Sequence, residues 1–292
     1  MTPLVSVVMA AKDYGRYIAT AIDSVRAQSF AEWELIVVDD GSRDSTPAIV
    51  APYLDDPRIR YLRADRLGQS RAKNLGIALS RGDFVAFLDA DDVWEPDKLS
   101  RQLPLFRHDV DVVYSRRTLI DDAGLSRPAP ATTLVRGDLR ETLFVANPIC
   151  FSSAVVRRTL FDRVGRFDES IDLAIDYDFW LRAATVATFD FVDAALVNYR
   201  TGHANLSRQL DDRVPIACSI MERAAARGRV SSAAVAEGFA STCRTLAYVL
   251  RRTKPKESLA WGLRALRWPH RRLLSLKTLA GTLLARVRPA VS

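Results

Sequence analysis

Three carboxylates in four positions, Asp89-Ala90-Asp91-Asp92, follow the apolar run Phe84-Val85-Ala86-Phe87-Leu88. That run, bounded by Arg81-Gly82-Asp83, reads as a short buried strand. Extended backbone sends successive side chains to opposite faces, so Asp89 and Asp91 are expected on one side with Ala90 leaving room between them. Two anionic oxygens on one edge suit Mg²⁺ or Mn²⁺, hard ions held by one or two carboxylates together with the phosphate oxygens of a substrate. Taken alone, such residues more often make a solvated acidic turn. The metal reading draws its weight from what surrounds them.

Other acids fall at similar places. Residues 4–9, 34–38 and 59–62 read as three further strands, with Asp13 just beyond the first and Asp39-Asp40 closing the second. Between them, Ile18, Ala21, Ile22 and Val25 carry a helical period over 17–28, Ser45-Thr46-Pro47 opens a second helix, and 70–80 reads as a third. Strand and helix in alternation predict an α/β fold of parallel strands with right-handed crossovers, and a ligand at the strands' carboxyl ends. No G-x-G-x-x-G follows the first strand and no G-x-x-x-x-G-K-[ST] occurs, which removes support for dinucleotide and P-loop sites. Without a glycine-rich cradle a bound diphosphate needs cations, and a metal on Asp89 and Asp91, with Arg71 beside it, would supply them.

At 292 residues the chain has room for one large domain, or for one with an appendage. Cys150, Cys218 and Cys243 have no metal or redox spacing and point to a reducing compartment. The first residues lack a basic lead and no run approaches the ~18 apolar residues of a membrane span, so a cytoplasmic location is expected. The net charge of +7 is unevenly placed: 26 Lys/Arg against 30 Asp/Glu through Arg208, then 16 against 5 from Asp211 onward. The shift from −4 to +11 predicts a domain over 1–209 and a separate basic helical region over 210–292.

The sequence resembles the family-2 inverting glycosyltransferases of GT-A fold. The resemblance rests on Ser6-Val7-Val8-Met9, Val37-Val38-Asp39-Asp40-Gly41-Ser42, Arg71-Ala72-Lys73-Asn74-Leu75-Gly76, Phe87-Leu88-Asp89-Ala90-Asp91-Asp92 and Trp94-Glu95-Pro96-Asp97-Lys98-Leu99. Val164-Gly165-Arg166-Phe167-Asp168-Glu169 and Asp176-Tyr177-Asp178-Phe179-Trp180-Leu181-Arg182 match the family's second half, so the likeness covers roughly 4–207. It implies a Rossmann-like mixed sheet flanked by helices, with a nucleotide-binding half over about 1–110, an acceptor-binding half over about 111–209, and a C-terminal helical extension.

The resemblance also implies roles. Asp40 is the acid that meets the base of a UDP-sugar, Arg71 reaches the nucleotide or its phosphates, and Ala10, Ala11 and Asp13 fall where the nucleoside is lined. Many relatives carry Thr or Ser, Tyr and Asn where Ala10, Lys12 and Asp13 stand here. Asp91, with Asp89, holds the Mn²⁺ or Mg²⁺ that bridges the diphosphate, and Asp89 also meets ribose or sugar; Asp92 orients them or caps a helix, and Trp94 packs beneath. Asp176, opening a helix over 176–186, is the general base of a single in-line displacement, with Ile175 where relatives carry Glu. His203 either completes the metal shell or is a solvated loop residue, and Arg200 and His203 are lid candidates about Gly202.

The middle of the chain reads as antiparallel strands at 111–114 and 118–120, a loop over 128–133 near the acceptor, and a strand at 154–156. A further strand is expected over 196–200. In the tail, an amphipathic helix over 271–288 with basic ends either lies on an anionic membrane surface or packs on the catalytic domain or a homodimer partner. Nucleic acid is not an expected partner, because no module pattern accompanies the basic residues. The resemblance thus implies a metal-dependent inverting transferase moving sugar from a nucleotide-sugar donor to a glycan or lipid-linked saccharide acceptor, cytoplasmic, and peripheral on the inner face of the membrane should the tail helix lie on it. A sugar nucleotidyltransferase and an inactive binding relative are the alternatives; the first should show a basic glycine-rich signature after the first strand, and the second should have lost Asp91 or Asp176.

Overall fold

A computed structural model describes residues 4–202, 210–268 and 275–278. The chain divides into two compact units, Met1–Leu139 with Pro148–Asn205 and Arg140–Asn147 with Leu206–Ser292.

The first unit begins with β1 (Val5–Ala11), α1 (Ile18–Arg26), β2 (Trp33–Asp40), α2 (Thr46–Val50), β3 (Ile59–Ala64), α3 (Gln69–Leu79) and β4 (Phe84–Phe87). β1 runs parallel to β2 and β4, and β2 parallel to β3, as the alternation predicts. Val5, Val7, Met9 and Ala11 pack on one face with Ile18, Ala21, Ile22 and Val25 of α1. On the other face Ile36 and Val38 of β2 bury Ala72 of α3, with Ala10 alongside. Both faces are covered, which is why these strands read as continuous apolar runs. A Cβ on Gly76 would run into the Val8 side chain, so glycine is what lets α3 lie this close to β1.

Beyond β4 the sheet becomes mixed. The elements are β5 (Val93–Trp94), α4 (Lys98–Gln102), β6 (Val112–Ile120), β7 (Ser126–Pro128), α5 (Arg140–Val145), β8 (Val155–Arg157), α6 (Leu160–Val164), α7 (Ile175–Ala183) and β9 (Phe189–Arg200). The strand order is β3-β2-β1-β4-β8-β6-β9-β5, with β7 on β6. Two expectations are corrected here. Residues 111–114 and 118–120 are not an antiparallel pair but parts of one strand, β6, which runs parallel to β9 and antiparallel to β8. The polar run Ser115-Arg116-Arg117 hides that continuity in the sequence. β9 begins at Phe189 rather than at 196, and it accommodates the run: pairing jumps from Ser115↔Val192 to Arg116↔Ala195 to Arg117↔Val197.

The second unit gathers α5 with α8 (Leu210–Ala226), α9 (Ser232–Leu250) and α10 (Pro255–Ala265). Phe239 of α9 meets Phe144 of α5 at 5.8 Å and stacks on Trp268 at 4.9 Å between ring centroids. Ser231 caps α9 by accepting from the Ala234 N–H at 3.2 Å. Among the described residues no helix is long and apolar enough to cross a membrane. The amphipathic helix expected over 271–288 lies outside the described residues except for 275–278.

Candidate active site

The acidic stretch is not strand. β4 ends at Phe87, and residues 89–92 form a turn closed by the Asp92 N–H donating to the Asp89 carbonyl at 3.0 Å. Strand alternation therefore does not set the acids' directions; hydrogen bonds from neighbouring segments do. The Ser152 hydroxyl accepts from the Asp89 N–H at 3.1 Å and donates to Asp92 Oδ2 at 2.5 Å. Trp94 is 2% exposed and donates its indole N–H to the Ser152 carbonyl at 2.8 Å, so it packs beneath the turn and also orients the serine. From the end of β9, the Arg200 N–H donates to Asp92 Oδ1 at 2.8 Å, and its guanidinium donates to the carbonyls of Asp91 at 2.8 Å and Asp121 at 2.7 Å. Arg200, read as a lid residue, is instead a buried strut. His203 lies outside the described residues.

This packing buries negative charge. Burial first, and Asp89 second, push the Asp91 carboxyl up to about 7. Asp92 is raised by burial and then by Asp91 and Asp89, and the Tyr14 phenol is raised by burial and then by the same three acids. The facing cation on Asp89 is Lys73, whose Nζ lies 3.0 Å from Oδ1 and 4.2 Å from the centroid of the Phe151 ring. Both Asp92 oxygens are engaged by Ser152 and Arg200, which leaves Asp89 and Asp91 as donors. Among the described residues no group of three or more His, Cys, Asp or Glu is arranged to hold a metal ion. Two carboxylates this close, with Asp91 raised by burial and by Asp89, nonetheless fit a hard divalent cation that takes its remaining oxygens from phosphate and water.

The nucleoside-side residues gather on loops after β1 and β2. Asp13 holds φ 60, accepts from the Arg43 N–H at 2.7 Å, and donates its own N–H to Ser42 Oγ at 2.9 Å. It ties the two loops together. Asp40 accepts from the Leu67 N–H, from the Gly68 N–H at 3.1 Å and from Lys12 Nζ at 3.4 Å. Gly68 has φ 79 at the start of α3, so Asp40 fixes the entry to that helix. Ala10 and Ala11 face opposite sides of β1, and the Ala11 side chain is 3% exposed within the core.

α3 grips the segment that leads to Asp176. Ser70 Oγ donates to the Ile171 carbonyl at 2.7 Å. Asn74 exchanges two 3.0 Å bonds with the Phe167 backbone and donates to Glu169 at 3.0 Å. Phe167 then bridges Phe87, at 5.5 Å, to Phe179 of α7, at 5.3 Å. The strand end that carries the acids is thus coupled through aromatic rings to the helix whose first turn carries Asp176, behind Ala174 at φ 56. Arg71 is exposed and pairs with Glu169 at 3.2 Å, while Lys73 reaches the acid turn. Lys73 and Ser152 are the residues that sequence reasoning missed. Lys73 had a signal, because it shares its helical stripe with Gly76 and Ile77, whereas Arg71 lies about 200° around the helix from it. Ser152 had none.

A mixed sheet whose parallel half ends in an acidic turn is the architecture of GT-A transferases, and solved structures of that class share it. S. aureus TarS in complex with UDP-GlcNAc has a TM-score of 0.71 at 18% identity, covering 97% of this chain and 91% of that one. The mannosyltransferase PcManGT from Pyrobaculum calidifontis, in complex with GDP-Man and Mn²⁺, has a TM-score of 0.61 at 19% identity, covering 98% and 76%. The sequence matches Glycosyl transferase family 2 over residues 6–165, and the chain belongs to that family. An uncharacterized glycosyltransferase of Rickettsia prowazekii (strain Madrid E) is 31% identical over 207 residues, 68% of this chain and 64% of its own length. Chondroitin synthase of Escherichia coli is 30% identical over 201 residues, 67% of this chain and 29% of its own length. The chain therefore spans less than two thirds of either relative.

Proposed function

We propose that the chain moves a sugar from a nucleotide-diphosphate sugar, UDP-linked by preference, to a hydroxyl of a glycan or lipid-linked saccharide by single displacement with inversion. The observation that carries this reading is the acid turn: Asp89 and Asp91 fixed through backbone hydrogen bonds at the end of the parallel strands, with Asp91 buried beside Asp89, in a chain of this family. Asp89 and Asp91 would hold Mn²⁺ or Mg²⁺, and the ion would supply positive charge to the leaving diphosphate. Lys73 adds a fixed cation on the same side. Asp13, which ties the loops after β1 and β2, and Asp40, which holds the entry to α3, shape the nucleoside end, with Ala10 and Ala11 at the end of β1.

Asp176 takes the proton of the acceptor hydroxyl as the hydroxyl oxygen attacks the anomeric carbon and the bond from that carbon to the nucleoside diphosphate breaks, so no protein nucleophile is needed. Its place in the first turn of α7, where the helix dipole favours acidic residues, supports that role. The basic C-terminal region brings the protein to an anionic membrane surface on the cytoplasmic side, where lipid-linked acceptors reside. Nucleotide release from UDP-, GDP- and dTDP-sugars is the test, with Mn²⁺ or Mg²⁺ and with the ions chelated. Metal-dependent release from one of them is expected; no release from any sugar with either metal contradicts the reading.

A further inference from the structure

Ser115, Arg116 and Arg117 of β6 line one cavity of about 70 Å³ together with Thr132, Leu134 and Pro148. Neighbours on a regular strand point to opposite faces, so three consecutive residues on one cavity need a cause. The two jumps in pairing with β9 fall at these residues, and bulges re-aim side chains in this way. The two arginines then differ in what they meet. Arg116 donates through Nε to Asp193 and through Nη1 to the Thr132 carbonyl at 2.8 Å. Arg117 is half-buried, its Nε is buried without an acceptor, and it makes no ion pair among the described residues. Its guanidinium lies 5.5 Å from the centroid of the Tyr199 ring, which holds it in place and accepts no strong hydrogen bond. A buried donor without a partner is costly, and a planar guanidinium is best satisfied by a carboxylate or phosphate.

The wall of the cavity is linked to the acid turn through two serines. The Ser115 N–H donates to Ser153 Oγ at 3.4 Å, and the adjacent Ser152 holds Asp89 and Asp92. Arg117 pairs with Val197 on β9, whose last residue is the Arg200 strut. We propose that this cavity is an anion subsite in which Arg117 receives a carboxylate or phosphate group carried by the acceptor. That the ligand belongs to an acceptor rests on the transferase reading; the unpartnered Arg117 Nε beside the cavity does not.

The test is calorimetric titration of the full-length protein with D-glucuronate, inorganic phosphate and D-glucose, in the presence and absence of UDP and Mn²⁺. Arg117→Gln and Ala131→Phe are titrated in parallel. The second substitution fills the cavity from its exposed rim, leaves Arg117 in place, and carries the comparison should Arg117→Gln fail to fold. Glucuronate or phosphate is expected to bind at least tenfold more tightly than glucose, and each variant to lose at least tenfold in that affinity with UDP affinity unchanged. Preference for glucuronate identifies a uronic-acid glycan, and preference for phosphate a phosphate-bearing one. Absence of anion binding, equal binding of glucose, or anion affinity unchanged in the folded variants overturns the proposal. UDP affinity reports on the donor site separately: its absence from the wild type counts against the transferase reading and leaves the anion comparison intact.

Discussion

Asp91 couples the charge of the site to folding. Its folded-state value of about 7 stands above its ordinary value of 3.8, so the folded protein binds this proton more tightly than the unfolded chain does. Stability from this group rises as pH falls from about 7 toward 3.8, and the cost of the buried charge is complete above 7. Asp91→Asn is therefore expected to raise the melting temperature of the metal-free protein at pH 8, by the equivalent of roughly 1–3 kcal/mol, with a smaller gain at pH 5. Mn²⁺ should stabilise the wild type and not the variant; a variant less stable at pH 8 would contradict this account of the site. At this scale the sequence was informative about residue types and less so about directions. Asp89, Asp91 and Asp40 stand out because acids after apolar runs need a reason. Lys73 was obscured by Arg71, the more obvious cation two positions away, and the hydroxyl of Ser152 is ordered by a fold contact across 60 residues.

The elements that hold the site were legible wherever both faces of a strand are covered, as in β1, β2 and β4. They were least legible along β6, where Arg116 and Arg117 interrupt the apolar pattern and a bulged partner makes the pairing good again. Two predictions belong here. Gly76→Ala puts a methyl group into Val8 and should lower stability by about 1–3 kcal/mol through separation of α3 from β1, read as a lower denaturant midpoint. Lys98, in the first turn of α4, is 0% exposed, with Nζ 4.1 Å from the centroid of the Trp94 ring and donating to Gln102 Oε1 at 2.7 Å. Burial pushes its ammonium well below the usual range, so stability falls as pH drops from the unfolded lysine value toward the depressed folded one. Lys98→Met should raise the melting temperature at pH 7 by the equivalent of about 1 kcal/mol or more and flatten its dependence between pH 7 and 10. A melting temperature that drops at pH 7 counts against this reading.

For the whole molecule, the charge asymmetry was plain in the sequence, and the packing of α5 with the C-terminal helices was not, because the segment 140–147 that contains it lies far from them in the chain. The +11 balance after residue 210 predicts that the full-length protein floats with phosphatidylglycerol vesicles and not with phosphatidylcholine vesicles, and that salt above about 0.5 M releases it. Equal flotation with both lipids would remove the electrostatic basis of that prediction. The proposed chemistry turns on Asp176, the carboxylate taken as the general base. The direct measurement compares turnover and UDP–Mn²⁺ affinity in the wild type and in Asp176→Asn, at saturating donor and acceptor. The account predicts a fall in turnover of about 10²–10⁴-fold with nucleotide affinity within about twofold of the wild type. Turnover that persists, or nucleotide binding that disappears along with it, would contradict it.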